Sequence, residues 1–146
     1  MYTDEFWAKT RRIWEEAYSR GNLVKLNEVV APGYIRHRPP FGDIVGLGGL
    51  KRFIEEVRTS YPDCKLTLGE SITQGAMAAT RWTFEGTQRG PSPTTGVPPT
   101  GKHVIFTGCT FDHYEEGKLV ESWEHGDYLG LLQTLDPIAM MAYSAE

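Results

Sequence analysis

Apolar residues in the first fifth of the chain recur at helical spacing. From Asp4 to Arg20, Phe6, Trp7, Ile13, Trp14, Ala17 and Tyr18 fall on one side and charged residues fill the other. Thr3 suits the N-cap and Gly21 the C-terminal stop. Asn22 is placed to cap a second, short helix with Leu23, Leu26, Val29 and Val30 on one side, ended by Pro32-Gly33. Tyr34 to His37 reads as extended and is closed by Pro39-Pro40. A glycine-rich loop is expected from Gly42 to Gly49, then a third helix from Leu50 to Ser60, ended by Pro62.

After Pro62 the period shortens to that of strands. Leu66 to Thr73, Ala76 to Gly90, Val104 to Glu115 and Leu119 to Asp127 each predict a strand. Glu116-Gly117 joins the last two as a hairpin. The stretch from Pro91 to Lys102, rich in Pro, Gly and Thr, reads as a long ordered loop between adjacent strands. Tyr128 to Leu135 predicts a terminal helix, with the final residues fraying. Helices followed by a run of antiparallel strands is an α+β pattern, since a doubly wound parallel fold would alternate the two.

Composition narrows the class. At 146 residues the chain fits a single domain, 1–146. Fifteen basic against nineteen acidic residues give a net charge of -4, so no nucleic-acid partner is expected. Mean hydropathy is -0.39 and no long uncharged apolar run occurs, so no membrane span is expected either. No signal peptide is visible at Met1 to Glu5, and a cytoplasmic location is expected. Cys64 and Cys109 are too few for a disulfide scaffold or a zinc cluster.

Two glycine motifs fail on physical grounds. Gly96 to His103 imitates a phosphate-binding loop. However, His103 replaces the magnesium-holding Ser/Thr, and Pro98 and Pro99 remove backbone donors. A strand also follows where a helix is needed. Gly46-Leu47-Gly48-Gly49 lacks a preceding strand, and Lys51 stands where a third glycine belongs. His37, His103, His113 and His125 form no His-x-His or His-x-x-x-His pair, so no metal site is expected.

Chemistry is best placed on the last strand. Strict alternation puts Leu119, Glu121, Trp123, His125 and Asp127 on one face, with Val120, Ser122, Glu124 and Gly126 on the other. Either face thus offers a carboxylate to a cavity. Asp127 also directly precedes the terminal helix and suits its N-cap.

Several fragments, in order from about Glu5 to Leu135, resemble the SnoaL-like polyketide cyclases of the nuclear-transport-factor-2-like superfamily. They are Tyr34-Ile35-Arg36-His37, Tyr61-Pro62-Asp63, Arg81-Trp82, Gly86-Thr87 and Gly96-Val97-Pro98-Pro99-Thr100-Gly101. Gly117 to Trp123 with Asp127, and Gly130-Leu131-Leu132-Gln133, complete the set. The resemblance implies a cone-shaped α+β barrel, with N-terminal helices packed in a curved antiparallel sheet around an apolar pocket. It implies cofactor-independent ring closure or isomerisation of a small hydrophobic carbonyl compound by a carboxylate acid/base, and a homodimer formed through the sheet's outer face. Non-catalytic ligand binding, or a hydrolase or dehydratase holding a water among Glu124, Tyr34 and His37, are the alternatives.

Residue by residue, the family's acid/base carboxylate falls at Glu124, with Asp more usual there. An Asn common in the family falls at Arg36, and a Gln and a His fall at Gly108 and Thr110. A further His falls at Gln88. The resemblance therefore makes Glu124 the first catalytic candidate, beside His37, Tyr34 and Asp127. Arg36, Trp82, Phe84, Trp123 and His125 are candidate substrate contacts, and Arg81 reads as a surface arginine. Arg36 facing Glu124 would stabilise the ionised carboxylate, making it a weaker base and the site a better anion binder. Arg36 facing away would leave His37 as an alternative base.

Overall fold

The computed structural model describes residues 1–136. The expected fraying of the tail concerns residues outside these. Helix α1 spans Asp4–Arg20, as its periodicity predicts. Thr3 Oγ1 accepts the Phe6 N–H at 3.1 Å, and Gly21, at φ 73°, donates back to Ala17. The helix buries Ile13, Trp14, Ala17 and Tyr18.

Helix α2 is a single turn, Leu26–Val29. Asn22 does not cap it; Lys25 holds that position without a side-chain bond. Strand β1 runs Val30–Arg38, straight through Pro32-Gly33. These two residues fall in the register break between Val30↔Leu119 and Ile35↔Glu121. The missing proline N–H is therefore tolerated within the strand. The expected glycine-rich loop is instead an edge strand and a helix start. Strand β2 is Phe41–Val45, and helix α3 is Gly46–Ser60. Gly46, at φ 79°, makes the corner between them.

The remaining elements are β3 (Lys65–Gln74), β4 (Met77–Thr87), β5 (His103–Glu115), β6 (Lys118–Gly126) and α4 (Tyr128–Leu135). Glu116 and Gly117 both have positive φ, as a two-residue hairpin turn requires. Asp127 caps α4, accepting the Gly130 N–H at 2.9 Å.

The six strands form one curved sheet in the order β2-β1-β6-β5-β4-β3. It is an open sheet, with β2 and β3 as its edges. All neighbours are antiparallel except β1 and β6, which pair in parallel. Register shifts in β1, in β3 and between β5 and β6 bend it. Helix α1 packs on β3 and α3 packs on β1 and β2, so both cross the concave side. The core between helices and sheet includes Leu26, Leu50, Ile54, Tyr114 and Leu119, all essentially inaccessible to solvent.

One shift decides which residues of β6 face inward. His113 pairs with Glu121, but Tyr114 pairs with Leu119, so Val120 is the extra residue of a bulge. Leu119 and Ser122 are consequently both buried, although strict alternation separates them. Beyond the bulge alternation resumes: Ser122, Glu124 and Gly126 face in, while Trp123 and His125 face out.

Candidate active site

The concave face encloses a cavity of about 170 Å³. Its wall is largely apolar, built by Trp82 and Phe84 on β4, Phe106 on β5, Phe53 and Val57 on α3, and Leu131 on α4. Two glycines make room for the rings. A Cβ on Gly108 would fall 2.3 Å from Trp82 Cζ2, and one on Gly126 would fall 2.4 Å from Phe106 Cζ. The two glycines are register partners on β5 and β6. The space beside Gly108, where the resemblance places a Gln, is thus filled by the Trp82 indole, whose Nε1 donates to Thr110 Oγ1 at 2.8 Å.

A polar cluster interrupts this wall where β1, β6 and β5 lie side by side. Arg36 is buried at its centre. Its Nε donates to Tyr34 Oη at 2.8 Å and its Nη1 to Tyr18 Oη at 3.1 Å. Nη1 also stands 3.9 Å from Glu124 Oε1, and the guanidinium lies 5.3 Å from the Trp14 ring centroid. The other Glu124 oxygen accepts the Tyr128 hydroxyl at 3.3 Å. Burial raises the Tyr18 and Tyr128 phenols above their usual range and pushes Tyr34 up to about 12, against the opposing pull of Arg36. All three are neutral phenols near pH 7.

Asp112 is the second carboxylate of the cavity. It accepts from Ser122 Oγ at 2.5 Å, and the two residues are register partners. Burial pushes its carboxyl up from 3.8 to about 6, and the charge of Glu124 adds to this. The Ser122 hydrogen bond and Arg36 act in the opposite sense.

Of the residues singled out from the sequence, Glu124, Arg36, Trp82 and Phe84 line the cavity. Tyr34 is buried behind Arg36 as its hydrogen-bond partner. The other four lie elsewhere. With Tyr34 and Arg36 facing in, His37 faces out. There its Nε2 meets Glu121 Oε2 at 2.7 Å, its Nδ1 meets Asp43 Oδ1 at 3.1 Å, and its ring stacks on Trp123. Trp123 therefore belongs to the outer face, and so does the exposed His125. Asp127 is engaged as the α4 cap. A water shared by Glu124, Tyr34 and His37 is thereby excluded, because the sheet separates His37 from the other two. Arg81 lies on the exposed side against Glu70, as read from the sequence.

Sequence reasoning missed Asp112, Tyr18 and Tyr128. A usable signal existed for Asp112: alternation along β5 carries Gly108 and Thr110 onward to Asp112 on the same face. Among the described residues, no three His, Cys, Asp or Glu side chains gather as a metal would require, and no helix is long and apolar enough to cross a membrane.

A curved, open α+β sheet closed by helices over a pocket that combines an apolar wall with buried carboxylates defines a small-molecule cone fold. The chain belongs to the SnoaL-like polyketide cyclase family, whose model matches residues 8–135. It is similar to TsrD from Streptomyces laurentii, at 25% identity and a TM-score of 0.85, over 94% of this chain and 100% of that one. It is also similar to IdmH from Streptomyces antibioticus, at 27% identity and a TM-score of 0.72, over 88% and 96%. A SnoaL-like polyketide cyclase from Agrobacterium tumefaciens shares the fold at 18% identity and a TM-score of 0.74, over 92% and 99%. No functionally curated protein matches the chain.

Proposed function

We propose that the protein is a cofactor-independent cyclase or isomerase of small, mainly apolar carbonyl compounds, working by carboxylate acid/base chemistry inside the cavity. The observation that carries this reading is a carboxyl group, Asp112, on the cavity wall, with burial pushing its pKa up to about 6. A general base works best when its pKa lies close to the operating pH. Family membership supports the reaction class.

In this reading the Asp112 carboxylate removes a proton from a carbon flanked by carbonyls. The enolate oxygen is met by a donor of the same wall, the Arg36 guanidinium. The enolate carbon then attacks a second carbonyl of the same molecule and forms the ring C–C bond. The new alkoxide takes the proton back from Asp112, so the net change is an isomerisation and no cofactor is consumed. Glu124, which faces Arg36 and accepts the Tyr128 hydroxyl, holds the guanidinium in place; its expected role as the base passes to Asp112. A purely ligand-binding role is less well supported, because it predicts a solvent-exposed Glu124, and that side chain is only 12% exposed.

The test is deuterium exchange into the central methylene of a 1,3-diketone, followed by proton NMR. Wild type should accelerate exchange, with a rate that rises with pH through about 6. Asp112→Asn should lose roughly a hundredfold. Exchange no faster than in buffer, or unchanged in Asp112→Asn, overturns the proposal. A homodimer extends the reading: Ile72, Ile105 and Phe111 are exposed on the outer face. Size-exclusion chromatography should show a dimer that Phe111→Lys weakens.

A further inference from the structure

Two residues along β1 from Arg36 lies a second inward-facing arginine, Arg38. It is only 8% exposed. Unlike Arg36, it has no carboxylate partner among the described residues. Its Nη1 donates to Thr94 Oγ1 at 3.0 Å and its Nε makes a long bond of 3.4 Å to the Gly42 carbonyl. The guanidinium lies 4.7 Å from the Phe53 ring centroid and 5.9 Å from that of Phe41. Its Nη2 has no acceptor among the described residues. Arginine does not shed its proton to escape burial, so this charge stays in place without a counterion among them.

Thr94 and Phe53 both line the cavity, and Arg38 stands immediately behind them. The Thr94 hydroxyl accepts from Arg38 and has no acceptor of its own among the described residues, leaving its proton for a ligand. The loop that carries it is held in place. Gln88, fully buried, donates to the Val97 carbonyl and accepts both the N–H and the hydroxyl of Thr100. A rigid donor pair at one end of an apolar cavity suits a single anionic group at one end of an apolar ligand.

We propose that the cavity takes an apolar, ring-bearing ligand carrying a carboxylate, received by the Thr94 hydroxyl, with the Arg38 guanidinium 3.0 Å behind that hydroxyl supplying the positive charge. A planar monoanion fits better than a phosphate. The site offers one guanidinium edge and one hydroxyl, and the neighbouring cation, Arg36, is already engaged by Glu124. This names the substrate class of the site described above and rests on that site being a ligand pocket.

The probes are 2-naphthoate and its neutral counterpart 2-naphthamide, titrated calorimetrically into the full chain. Wild type should prefer the acid by roughly tenfold or more, the scale of a charge-assisted hydrogen bond. Arg38→Gln should abolish the preference. Thr94→Val should reduce it. Arg38→Lys, which keeps the charge and removes the planar fork, should retain part of it and serves if Arg38→Gln does not fold. Equal binding of acid and amide by wild type overturns the proposal, as does no binding of the acid at millimolar concentration. So does a preference that survives both Arg38→Gln and Thr94→Val. The acid/base reading fails separately: an acid preference without diketone exchange removes that reading and leaves this one, and exchange without an acid preference does the reverse.

Discussion

Arg36 and His37 are adjacent in sequence and each meets a carboxylate of β6, yet the two pairs differ in almost every physical respect. Arg36 and Glu124 are nearly inaccessible, held by three tyrosines, and face a cavity. His37 and Glu121 lie on the outer face, with side chains 30% and 38% exposed. The shorter contact belongs to the outer pair, at 2.7 Å against 3.9 Å. Distance alone would rank them wrongly. Water screens the outer pair, whereas losing one member of the inner pair strands a charge in a poorly solvated interior. The pleat of one strand, by changing which side a residue faces, turns the same kind of pairing from a surface detail into part of the cavity wall.

The contrast breaks most sharply at Arg36. Arg36→Met should destabilise the fold by about 3–5 kcal/mol, because Glu124 is left buried without its partner. Adding Glu124→Gln should restore part of that loss, and urea titration of the single and double variants measures both. Asp112→Asn should act in the opposite direction. Its carboxyl is raised in the folded state, so its contribution to stability is fully present below about 3.8 and falls away as pH rises through about 6. Above that pH the neutral amide should be more stable than wild type by up to about 3 kcal/mol, while activity is lost. Thermal melts at pH 5 and pH 8 check the sign: the gain should be larger at the higher pH. Gly108→Ala places a methyl group against Trp82 and should lose about 1–3 kcal/mol with a change in tryptophan fluorescence.

The smallest effect lies outside. His37→Ala should change stability by less than about 1 kcal/mol. The Glu121 hydrogen bond is the main cause of the raised His37 value, so the pair's contribution is fully present below about 6.5 and is lost as pH rises through the higher folded value. An effect of His37→Ala as large as that of Arg36→Met would erase the distinction between the two faces.

Local signals were the legible part of this fold. Helix α1, the Glu116-Gly117 turn and the Asp127 cap depend on a few neighbouring residues, and each forms where the pattern puts it. Non-local pairing was less legible. Strand β2 exists because β1 offers it an edge, and the parallel β1–β6 contact joins segments nearly ninety residues apart. Within the site, Glu124 and Arg36 were reachable through family resemblance. Asp112 was legible only indirectly, as the next inward position after Gly108 and Thr110 on β5, because an aspartate alone looks the same whether it faces water or a cavity. The one-residue bulge at Val120 likewise has no clear mark in the sequence, although it brings Leu119 and Ser122 to the same side.

The loop from Pro91 to Lys102 has a consequence for how this protein could be diversified. Its two ends are tied to different residues of the scaffold: Ser60 Oγ donates to the Pro91 carbonyl at one end, and Gln88 binds Val97 and Thr100 through its side chain and Gly101 and Lys102 through its backbone towards the other. The cavity-facing residues Ser92, Pro93 and Thr94 lie between these ties. That span is a replaceable cassette. Its sequence can be exchanged to alter which ligand end-group is accepted, while Ser60 and Gln88 keep the splice points fixed and the sheet, with its carboxylates, is left as it was.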